Sequence, residues 1–389
     1  MGQGISRRIK VLIIITRLIR GGAQREVLEL LTHLDRNSYS VAVASHPGGE
    51  WVPQAAAAAD AFHSVPELTR PISPLSDLAA AVRLFRLMRC ERFDIVHTHT
   101  SKAGILGRLA ARAAGVPVVA HTPHGTVFHD SVLSPRAQRV VERMERVAAR
   151  WADCIVTKSA CETDDYVRRR IAPRDKFRMI YSGLDLARLD LRRAAPREVL
   201  DSLGISHQRQ VVLYAARFVP EKNHQGFLEA FDLVLDSMPE TVALLAGEGP
   251  LRAEVERRAS ALIARGSLLS LGFRDDLPDL MRAADLCISA SLTEGLPLMV
   301  AEALALGRCV VATDAGGTRE VVRHEETGLL VPCDNPRRLA DGIIRLLGRP
   351  ADAARMGEEG RKHVRAVFDG RQMIRQTEQL YQECLVRSR

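Results

Sequence analysis

Short apolar runs alternate with longer amphipathic stretches along almost the whole chain. In the first half the runs are KVLIII, SVAVAS, DIVHTH, VPVVAH and DCIVTKS, and in the second half they are QVVLYAAR, TVALLAG, SLLSLG, DLCISAS, RCVVAT and TGLLVP. Continuous runs rich in β-branched residues, separated by helical segments, are typical of parallel strands covered on both faces. The pattern therefore predicts an α/β protein with two doubly wound parallel sheets.

A segment with little periodicity separates the two series of strands. Polar and turn residues accumulate near residues 183–208, where we predict an interdomain linker. The length of 389 residues also suits two domains better than a single core. We therefore predict an N-terminal domain over residues 1–190, a C-terminal domain over 191–369 and a final helix over 370–389.

The net charge indicates the class of partner, and the cysteine spacing indicates the cellular compartment. The net charge is +8, and residues 1–190 carry 28 Lys and Arg against 19 Asp and Glu, so the whole excess lies in the first half. A basic half of this kind indicates an anionic partner such as nucleic acid, a membrane surface or a phosphorylated ligand. The seven cysteines are never spaced C-x-x-C, which argues against a disulfide framework or a zinc site and predicts reduced thiols in a cytoplasm.

The stretch EGLPLMVAE follows the predicted strand DLCISAS and places two carboxylates around a helix start. Pro297 suits the first turn of a helix that we predict from about Leu298 to Leu306, and the first-turn amides of such a helix attract anions. Glu294 precedes this end and Glu302 lies about one turn inside it. Because carboxylates repel phosphates, we expect both to bind sugar hydroxyls, while a plain surface role for both fits the spacing equally well.

Other strand ends of the second half also carry candidate ligand-binding residues. Arg217 and Lys222 bracket a turn after VVLYA, beside a helix start, and such a pair can hold a diphosphate. Glycines at two further strand ends would let a nucleotide base approach the backbone, although an ordinary turn explains each of them alone. The residues at these two ends are Gly247, Gly272, Phe273 and Arg274.

Four histidines lie at the ends of two strands of the first half, namely His97, His99, His121 and His124. They lack the carboxylate pattern of a metal site, so we expect hydrogen bonds to hydroxyls or phosphate and no metal. Gly22 lies between the first strand and the first helix, but RLIRGGAQ is not the G-x-G-x-x-G motif of dinucleotide-binding proteins. The chain also lacks a Walker A loop and a G-x-S-x-G elbow.

The stretch SPRAQRVVERMERVAARWAD predicts a basic amphipathic helix. Its arginines recur at spacings of 3 and 4 and form one stripe next to apolar residues, as in helices that lie on anionic lipid, although a solvated helix face is also compatible. The five arginines of this basic stripe are Arg136, Arg139, Arg143, Arg146 and Arg150.

Together these motifs resemble a known family. SLTEGLPLMVAEALALGRCVVATDAGGTREVVRHEETGLLVP is similar to the donor-site signature of retaining glycosyltransferases of family 4, including its E-x7-E pair, and ARFVPEKN is similar to their R-x4-K phosphate clamp. DIVHTHTSKAGILGRLAARAAGVPVVAHTPHG resembles the N-terminal domain of members that build bacterial surface polysaccharides. The resemblance implies the GT-B fold: two Rossmann-like domains facing across a cleft, with a C-terminal helix returning to the first.

The resemblance also implies roles for individual residues. Glu294 would contact donor-sugar hydroxyls, Glu302 the ribose, and Arg217 with Lys222 the diphosphate, while His124, or in another frame of HTPH His121, would face the sugar. Pro297 stands where many members have a glycine, so position 297 offers no backbone donor. The remaining donor-site residues that the resemblance implies are Gly22, Gly247, Gly272, Phe273, Arg274, Leu296 and Leu298.

The function that follows is transfer of a sugar from a UDP-linked donor to a lipid-linked or polysaccharide acceptor, with retention of configuration. No metal and no cofactor besides the nucleotide sugar is expected, and the enzyme would be cytoplasmic and peripheral on the inner face of the plasma membrane. The partners would be the donor, the acceptor and an anionic membrane, with no nucleic acid. Two alternatives remain: another GT-B activity on soluble substrates, such as an epimerase or sugar-phosphate synthase, and a non-catalytic nucleotide-sugar-binding protein.

Overall fold

The chain forms two compact units, each built around one parallel sheet. The first unit comprises Met1–Gly183 with Gly370–Arg389, and the second comprises Leu184–Asp369. The structure, a computed structural model, describes residues 7–69, 71–125, 134–191 and 194–388. Residues 192 and 193 of the predicted linker therefore lie outside the described residues.

The sheet of the first unit has seven described strands, all parallel, in the order β3-β2-β1-β4-β5-β6-β7. Five of them were predicted from the apolar runs, and the structure adds the two edge strands, which are short and carry exposed or half-buried residues. The strands are β1 (Ile9–Arg17), β2 (Tyr39–His46), β3 (Ala61–Ser64), β4 (Ile95–His99), β5 (Val118–Thr122), β6 (Cys154–Thr157) and β7 (Phe177–Met179).

Helices cover both faces of this sheet, which explains why the central apolar runs are continuous. Alternate residues of β1 enter different clusters: Ile13 packs with α1, α2 and α17, whereas Leu12 packs with α3 and α4. The helices of the first unit are α1 (Gly22–His33), α2 (Val52–Ala58), α3 (Pro74–Glu91), α4 (Ser101–Ala114), α5 (Pro135–Ala149), α6 (Ala160–Arg168) and α17 (Gly370–Arg387).

The sheet of the second unit has six described strands, all parallel, in the order β10-β9-β8-β11-β12-β13. All six correspond to the apolar runs of the second half. They are β8 (Val211–Ala215), β9 (Val242–Ala246), β10 (Leu268–Gly272), β11 (Leu286–Ser289), β12 (Val310–Thr313) and β13 (Leu329–Val331). The central four strands are fully buried.

Ten described helices accompany this second sheet. The predicted linker contributes two of them, α7 (Leu186–Asp190) and α8 (Pro196–Ser202), so it is more ordered than its weak periodicity indicated. The others are α9 (His224–Ser237), α10 (Arg252–Arg258), α11 (Ser260–Ala264), α12 (Leu277–Ala283), α13 (Leu298–Ala305), α14 (Thr318–Val321), α15 (Pro336–Leu347) and α16 (Pro350–Val367). None of the helices in the described part of the chain combines the length and apolar composition needed to span a bilayer.

The C-terminal helix α17 packs within the first unit. Its Tyr381 is fully buried, and the Tyr381 hydroxyl lies 2.7 Å from Nδ1 of His97 on β4. At the start of the helix, Gly370 lies so close to Gly183 that a Cβ built on Gly183 would be 2.3 Å from the Gly370 Cα. The chain therefore leaves and re-enters the first unit at one tight backbone contact.

A buried ion pair ties α5 to α4. The guanidinium of Arg108, on α4, donates two hydrogen bonds of 2.8 Å to the two carboxylate oxygens of Glu145, on α5. The side chains of Arg108 and Glu145 are 0% and 4% exposed, and Nε2 of His121 lies 3.7 Å from Glu145. The bidentate geometry offsets part of the cost of burying both charges, and removal of either partner leaves the other charge uncompensated.

We therefore expect Glu145→Ala to destabilise the first unit by about 3–5 kcal/mol, since it leaves the Arg108 charge buried without a partner. Urea denaturation followed by circular dichroism measures the change. The matched control is Glu358→Ala, which removes a pair with Arg361 whose side chains are 46% and 44% exposed. That variant should leave the free energy of unfolding nearly unchanged, because a solvent-exposed pair contributes little, and a similar loss in both variants would contradict the assignment.

Candidate active site

The predicted donor-site residues of the second unit meet at the carboxyl ends of its strands. Lys222 ends a 3₁₀ turn, Pro220–Lys222, in the loop after β8, and its ammonium donates a hydrogen bond to Oε1 of Glu294. The hydroxyl of Ser291 donates to the same oxygen at 2.8 Å. The Lys222 and Glu294 side chains are 26% and 11% exposed, so the pair is partly shielded and still accessible.

Local structure explains why Lys222 points toward Glu294. Asn223 follows it in the left-handed region, with φ 49°, and its side chain caps α9 by accepting from the N–H of Gly226 at 3.1 Å. The buried Tyr214 of β8 donates its hydroxyl to the Lys222 carbonyl. The turn is thus anchored on both sides of the lysine, which directs the ammonium to the end of β11.

The loop that carries Glu294 is held against a glycine that the motif analysis did not single out. A Cβ at Gly316, with φ +51°, would lie 2.0 Å from the Glu294 carbonyl oxygen, so any side chain there would displace the loop. The N–H of Gly317 donates to the same carbonyl at 3.1 Å. The sequence signal was present, because the pair lies in the DAGG part of the donor-site signature.

The helix after this loop, α13, begins at Leu298 as predicted and ends at Ala305, one residue before the predicted Leu306. Pro297 is the N-cap of α13, and no side chain caps the first-turn amides among the described residues. Leu296 and Leu298, on either side of the proline, are half-buried. The positive end of α13 therefore lies beside the Lys222–Glu294 pair, where an anion is favoured.

Glu302 lies one turn inside α13 and pairs with a residue that the sequence analysis had assigned to the linker. Arg188 of α7 donates from Nη2 to Oε1 of Glu302 at 2.7 Å. Their side chains are 32% and 14% exposed. Periodicity offered no signal for this contact, because the two residues are 114 positions apart.

The ends of β9 and β10, where we predicted that the base binds, lie next to each other. The N–H of Gly247 donates to the Gly272 carbonyl at 2.7 Å, and the Phe273 ring is 42% exposed. A Cβ at Gly247 would lie 2.0 Å from the carbonyl oxygen of Ala216, so this strand end needs glycine to approach the loop after β8. The Arg274 guanidinium is bound to both oxygens of Asp276, at 2.8 and 2.6 Å. Arg217 is exposed on the loop that follows β8.

In the first unit, a buried ion pair lies close to His124, the histidine predicted to face the sugar. Glu26, in the first turns of the helix that Gly22 begins, lies 2.6 Å from the Lys158 ammonium and accepts from the Ser182 hydroxyl at 2.7 Å. Burial raises the pKa of Glu26, but the Lys158 charge and the hydrogen bonds outweigh it, so its pKa lies below the usual value. The sequence analysis missed all three residues, which are far apart in the chain.

His124 and His121, the two candidates for the sugar-facing histidine, differ in their burial and in their contacts. Nδ1 of His99 lies 2.8 Å from Nε2 of His124, and their rings stack with centroids 5.1 Å apart. Burial lowers the pKa of His124 to about 4, with Glu26 opposing and Lys158 adding to that shift. His121 is fully buried on β5, against Thr98 and near Glu145, so the half-buried His124 is the better placed of the two candidates.

The backbone of His124 is held in an uncommon conformation by a buried carboxylate. His124 has φ 61°, in the left-handed region, and the next residue, Gly125, donates its N–H to Oε1 of Glu162 at 2.8 Å. The other Glu162 oxygen accepts from the Lys158 N–H at 2.6 Å. Burial raises the pKa of Glu162.

One group of side chains has the spacing of a metal site. Ligand atoms of Glu26, His99 and His124 all lie within 4.8 Å of one another. The Lys158 ammonium already pairs with Glu26 at 2.6 Å, and its positive charge would repel a cation there. The donor set therefore fits a metal poorly, and the absence of a metal requirement stays a prediction.

The five arginines of the basic stripe lie on or directly after α5. Arg136, Arg139, Arg143 and Arg150 are exposed. Arg146 differs, because its guanidinium donates to Glu142 at 2.7 Å and to the carbonyls of Arg169 and Arg170 at 2.8 and 3.0 Å. It therefore anchors α5 to the segment after α6, and the outward-facing part of the stripe consists of the other four.

Comparison with known proteins agrees with this geometry. Residues 21–183 match the model for "Glycosyl transferase 4-like domain", and residues 197–363 match that for "Glycosyl transferases group 1". The chain is 28% identical over 344 residues to the Escherichia coli UDP-Gal:alpha-D-GlcNAc-diphosphoundecaprenol alpha-1,3-galactosyltransferase, covering 87% of this chain and 88% of that protein. It is 29% identical over 312 residues to the putative glycosyltransferase EpsD of Bacillus subtilis, covering 78% and 80%.

Solved structures share the fold. The Anabaena protein Alr3699/HepE, crystallised with UDP and glucose, superposes with a TM-score of 0.82 at 21% identity, covering 96% of this chain and 99% of that one. WaaG, a glycosyltransferase of lipopolysaccharide biosynthesis, superposes with a TM-score of 0.76 at 15% identity, covering 95% and 99%. The two family matches, the two parallel sheets and these structures together show that the chain belongs to glycosyltransferase family 4 and has the GT-B fold.

Proposed function

We propose that the protein is a retaining glycosyltransferase that moves a sugar from a UDP-linked donor to a hydroxyl of a lipid-linked or polysaccharide acceptor. The observation that carries the proposal is the Lys222–Glu294 pair beside the start of α13, where cation, carboxylate and helix amides converge. The Escherichia coli relative, whose name specifies UDP-Gal and a diphosphoundecaprenol-linked acceptor, supports both substrate classes.

In the second unit, each group of the donor has a matching partner. Lys222, Arg217 and the amides near Leu296 and Leu298 bind the diphosphate, and Glu294 accepts hydrogen bonds from the sugar hydroxyls. Glu302 accepts from the ribose, and the base lies by the ends of β9 and β10, at Gly247, Gly272, Phe273 and Arg274.

The Lys222–Glu294 contact also couples recognition of the diphosphate to recognition of the sugar. Without donor, the ammonium is neutralised by Glu294, with the Ser291 hydroxyl on the same oxygen. An arriving phosphate offers Lys222 a second anionic partner, and the sugar hydroxyls offer Glu294 new donors. The Lys222 and Glu294 side chains therefore both keep a polar partner when the donor binds, and neither charge is left without one.

The chemistry requires stabilisation of the leaving group more than a strong base. As the bond between the anomeric carbon and the phosphate oxygen breaks, negative charge grows on the diphosphate, and Lys222, Arg217 and the α13 amides stabilise it. The acceptor oxygen bonds to the same face of the anomeric carbon, and its proton passes to the departing phosphate oxygen. This step retains configuration and needs neither a metal nor a separate cofactor.

His124 of the first unit is proposed to face the donor sugar, as the family resemblance implies. Its pKa of about 4 makes it neutral near pH 7, so it offers a hydrogen bond and no charge. The His99 ring and the Glu162–Gly125 hydrogen bond hold the side chain and backbone of this residue in place. Gly22, at the start of α1, would allow the diphosphate to approach the first loop.

The first unit offers a surface suited to an anionic membrane. The exposed arginines of α5 lie beside Val140 and Met144, which are 55% and 43% exposed. On α3, Leu75 and Leu78 are 84% and 63% exposed, followed along the helix by the exposed Arg83, Arg86 and Arg89. Helices with exposed apolar and basic residues favour the interface of an anionic bilayer.

The apolar part of α3 lies near the predicted sugar-facing residues. An ion pair of 2.5 Å joins Asp77 of α3 to Lys102 at the start of α4, only three residues after His99. A lipid-linked acceptor held by the bilayer would therefore reach the ends of β4 and β5 from this side. We accordingly propose a cytoplasmic enzyme, peripheral on the inner face of the plasma membrane.

A soluble acceptor is the second candidate. Relatives named D-inositol 3-phosphate glycosyltransferase in Streptomyces avermitilis and alpha-maltose-1-phosphate synthase in Mycolicibacterium smegmatis are 30% and 27% identical to the chain, with 61% and 86% of their lengths covered. Both names specify acceptors or products without a lipid. The membrane experiment below separates the two candidates.

We expect Lys222→Ala to lower kcat by about 10²–10³, because one preorganised cation no longer stabilises the leaving diphosphate. Transfer is measured by the mass of the product after incubation of UDP-sugars with membrane lipid extract. Lys362→Ala, which removes an exposed lysine paired with Glu359, serves as control and should leave kcat unchanged. Full activity of Lys222→Ala would refute the site, and tight UDP-sugar binding without turnover on any acceptor would indicate a non-catalytic binding protein.

We expect the double variant Leu75→Asp, Leu78→Asp to weaken binding to anionic vesicles by at least about tenfold, since insertion of each leucine contributes roughly 1.5–3 kcal/mol. Charge reversal at Arg139 and Arg143 should weaken it by about fivefold for each arginine and reduce its salt dependence. Co-sedimentation with phosphatidylglycerol vesicles measures both effects.

Ile263→Asp is the control for these vesicle experiments, because Ile263 is an exposed apolar residue that lies in the second unit and is 38% exposed. It should bind vesicles as the wild type does. If the wild-type protein does not sediment with the vesicles and prefers soluble acceptors, the membrane proposal is wrong and the second candidate is favoured.

A further inference from the structure

Arg188 connects a short helix at the beginning of the second unit to the glutamate proposed to bind the ribose. Nη2 of Arg188 lies 2.7 Å from Oε1 of Glu302, and both side chains are partly shielded from water. No motif of the sequence includes Arg188, and it lies in the segment that periodicity assigned to a linker. Arg188 therefore lies outside the donor-site signature, to which its partner Glu302 belongs.

The helix that carries Arg188 is firmly anchored. The side chain of Asp185 caps α7 by accepting from the Arg188 N–H at 2.9 Å, and Leu189 is fully buried. Arg282, paired with Asp279 at 2.8 Å in the interior of the unit, donates to the Leu189 carbonyl. The backbone that carries Arg188 is thus held in place. Less conformational entropy is therefore lost when the planar guanidinium orients another group.

Glu302 benefits from such a partner because a glutamate on a helix surface has several rotatable bonds. A carboxylate has about four acceptor positions on its two oxygens, and one N–H of Arg188 occupies one of them. The orientation of the carboxylate determines from which other donors it can accept.

We propose that Arg188 is a positioning residue for the nucleotide ribose: it fixes the Glu302 carboxylate in the orientation that accepts the ribose hydroxyls. This inference rests on the proposed function, since it assumes that Glu302 binds the ribose of a nucleotide diphosphate. Arg188 itself does not contact the nucleotide. Loss of Arg188 should then weaken recognition of the hydroxyls and spare recognition of the diphosphate.

Calorimetry with UDP and 2′,3′-dideoxy-UDP tests this, with the corresponding GDP and ADP pairs measured alongside. In the wild-type protein we expect removal of the hydroxyls to weaken binding by about 10–100-fold, the range for hydrogen bonds to a charged group. In Glu302→Ala the two nucleotides should bind almost equally. In Arg188→Ala the ratio should fall to about threefold or less, and Arg188→Lys should restore part of it, since lysine keeps the charge without the planar fork.

Arg365→Ala is the matched control. Arg365 holds the other end of α7 through Asp190 and donates to the Ala305 carbonyl of α13 at 3.0 Å, but the structure shows no contact with Glu302 among its described hydrogen bonds. A purely structural effect of loosening α7 would therefore appear in Arg365→Ala as well. We expect this variant to keep the wild-type ratio.

Each outcome supports or overturns a specific statement. If Arg188→Ala keeps the full ratio, or binds UDP more tightly than wild type, the positioning role is wrong, and in the second case Arg188 competes with the ribose. If Glu302→Ala keeps the ratio, the ribose assignment fails first and the inference with it. If the wild-type protein binds none of the three diphosphates, the proposed function itself is overturned. Should Arg188→Ala not fold, as judged by circular dichroism, Arg188→Met and Arg188→Lys decide the question.

Discussion

The direction of parallel strands is the constraint on which the functional organisation depends. In a parallel sheet all carboxyl ends meet at one edge, and the loops that leave this edge are free to carry function because the strands below are buried on both faces. In the second unit this brings Lys222, after β8, to Glu294, after β11, although 72 residues separate them. In the first unit it brings His99, the last residue of β4, to His124, after β5.

Buried polar groups then determine the chemistry at these edges. In the first unit the histidines are neutral because they are removed from water, and burial lowers the pKa of His97 to about 3. The charge that does remain, on Glu26 and Lys158, is paired at 2.6 Å. In the second unit the pair of Lys222 and Glu294 stays partly exposed, so its partners can be exchanged for those of a ligand.

The sequence predicted regular and repeated features well and isolated ones poorly. All six strands of the second sheet were visible as apolar runs, because a strand buried on both faces contains few polar residues. The edge strands β3 and β7 were missed, since a short, half-exposed strand has no such run. The helices α7 and α8 were missed because five and seven residues are too few to show a helical period. The extra anchoring role of Arg146 was missed because its partners include backbone carbonyls, which leave no trace in the side-chain pattern.

The sequence alone determined the α/β class, the strand ends that carry the candidate site residues and the chemical types present there, because these follow from local periodicity and from motifs within a few residues. Tertiary structure decided which of those residues meet. It left His124 more accessible than the buried His121, placed Gly316 against the Glu294 loop and brought Arg188 to Glu302 across 114 positions. Such contacts depend on how distant segments pack. A pattern within a few residues contains no information about which distant side chains will meet.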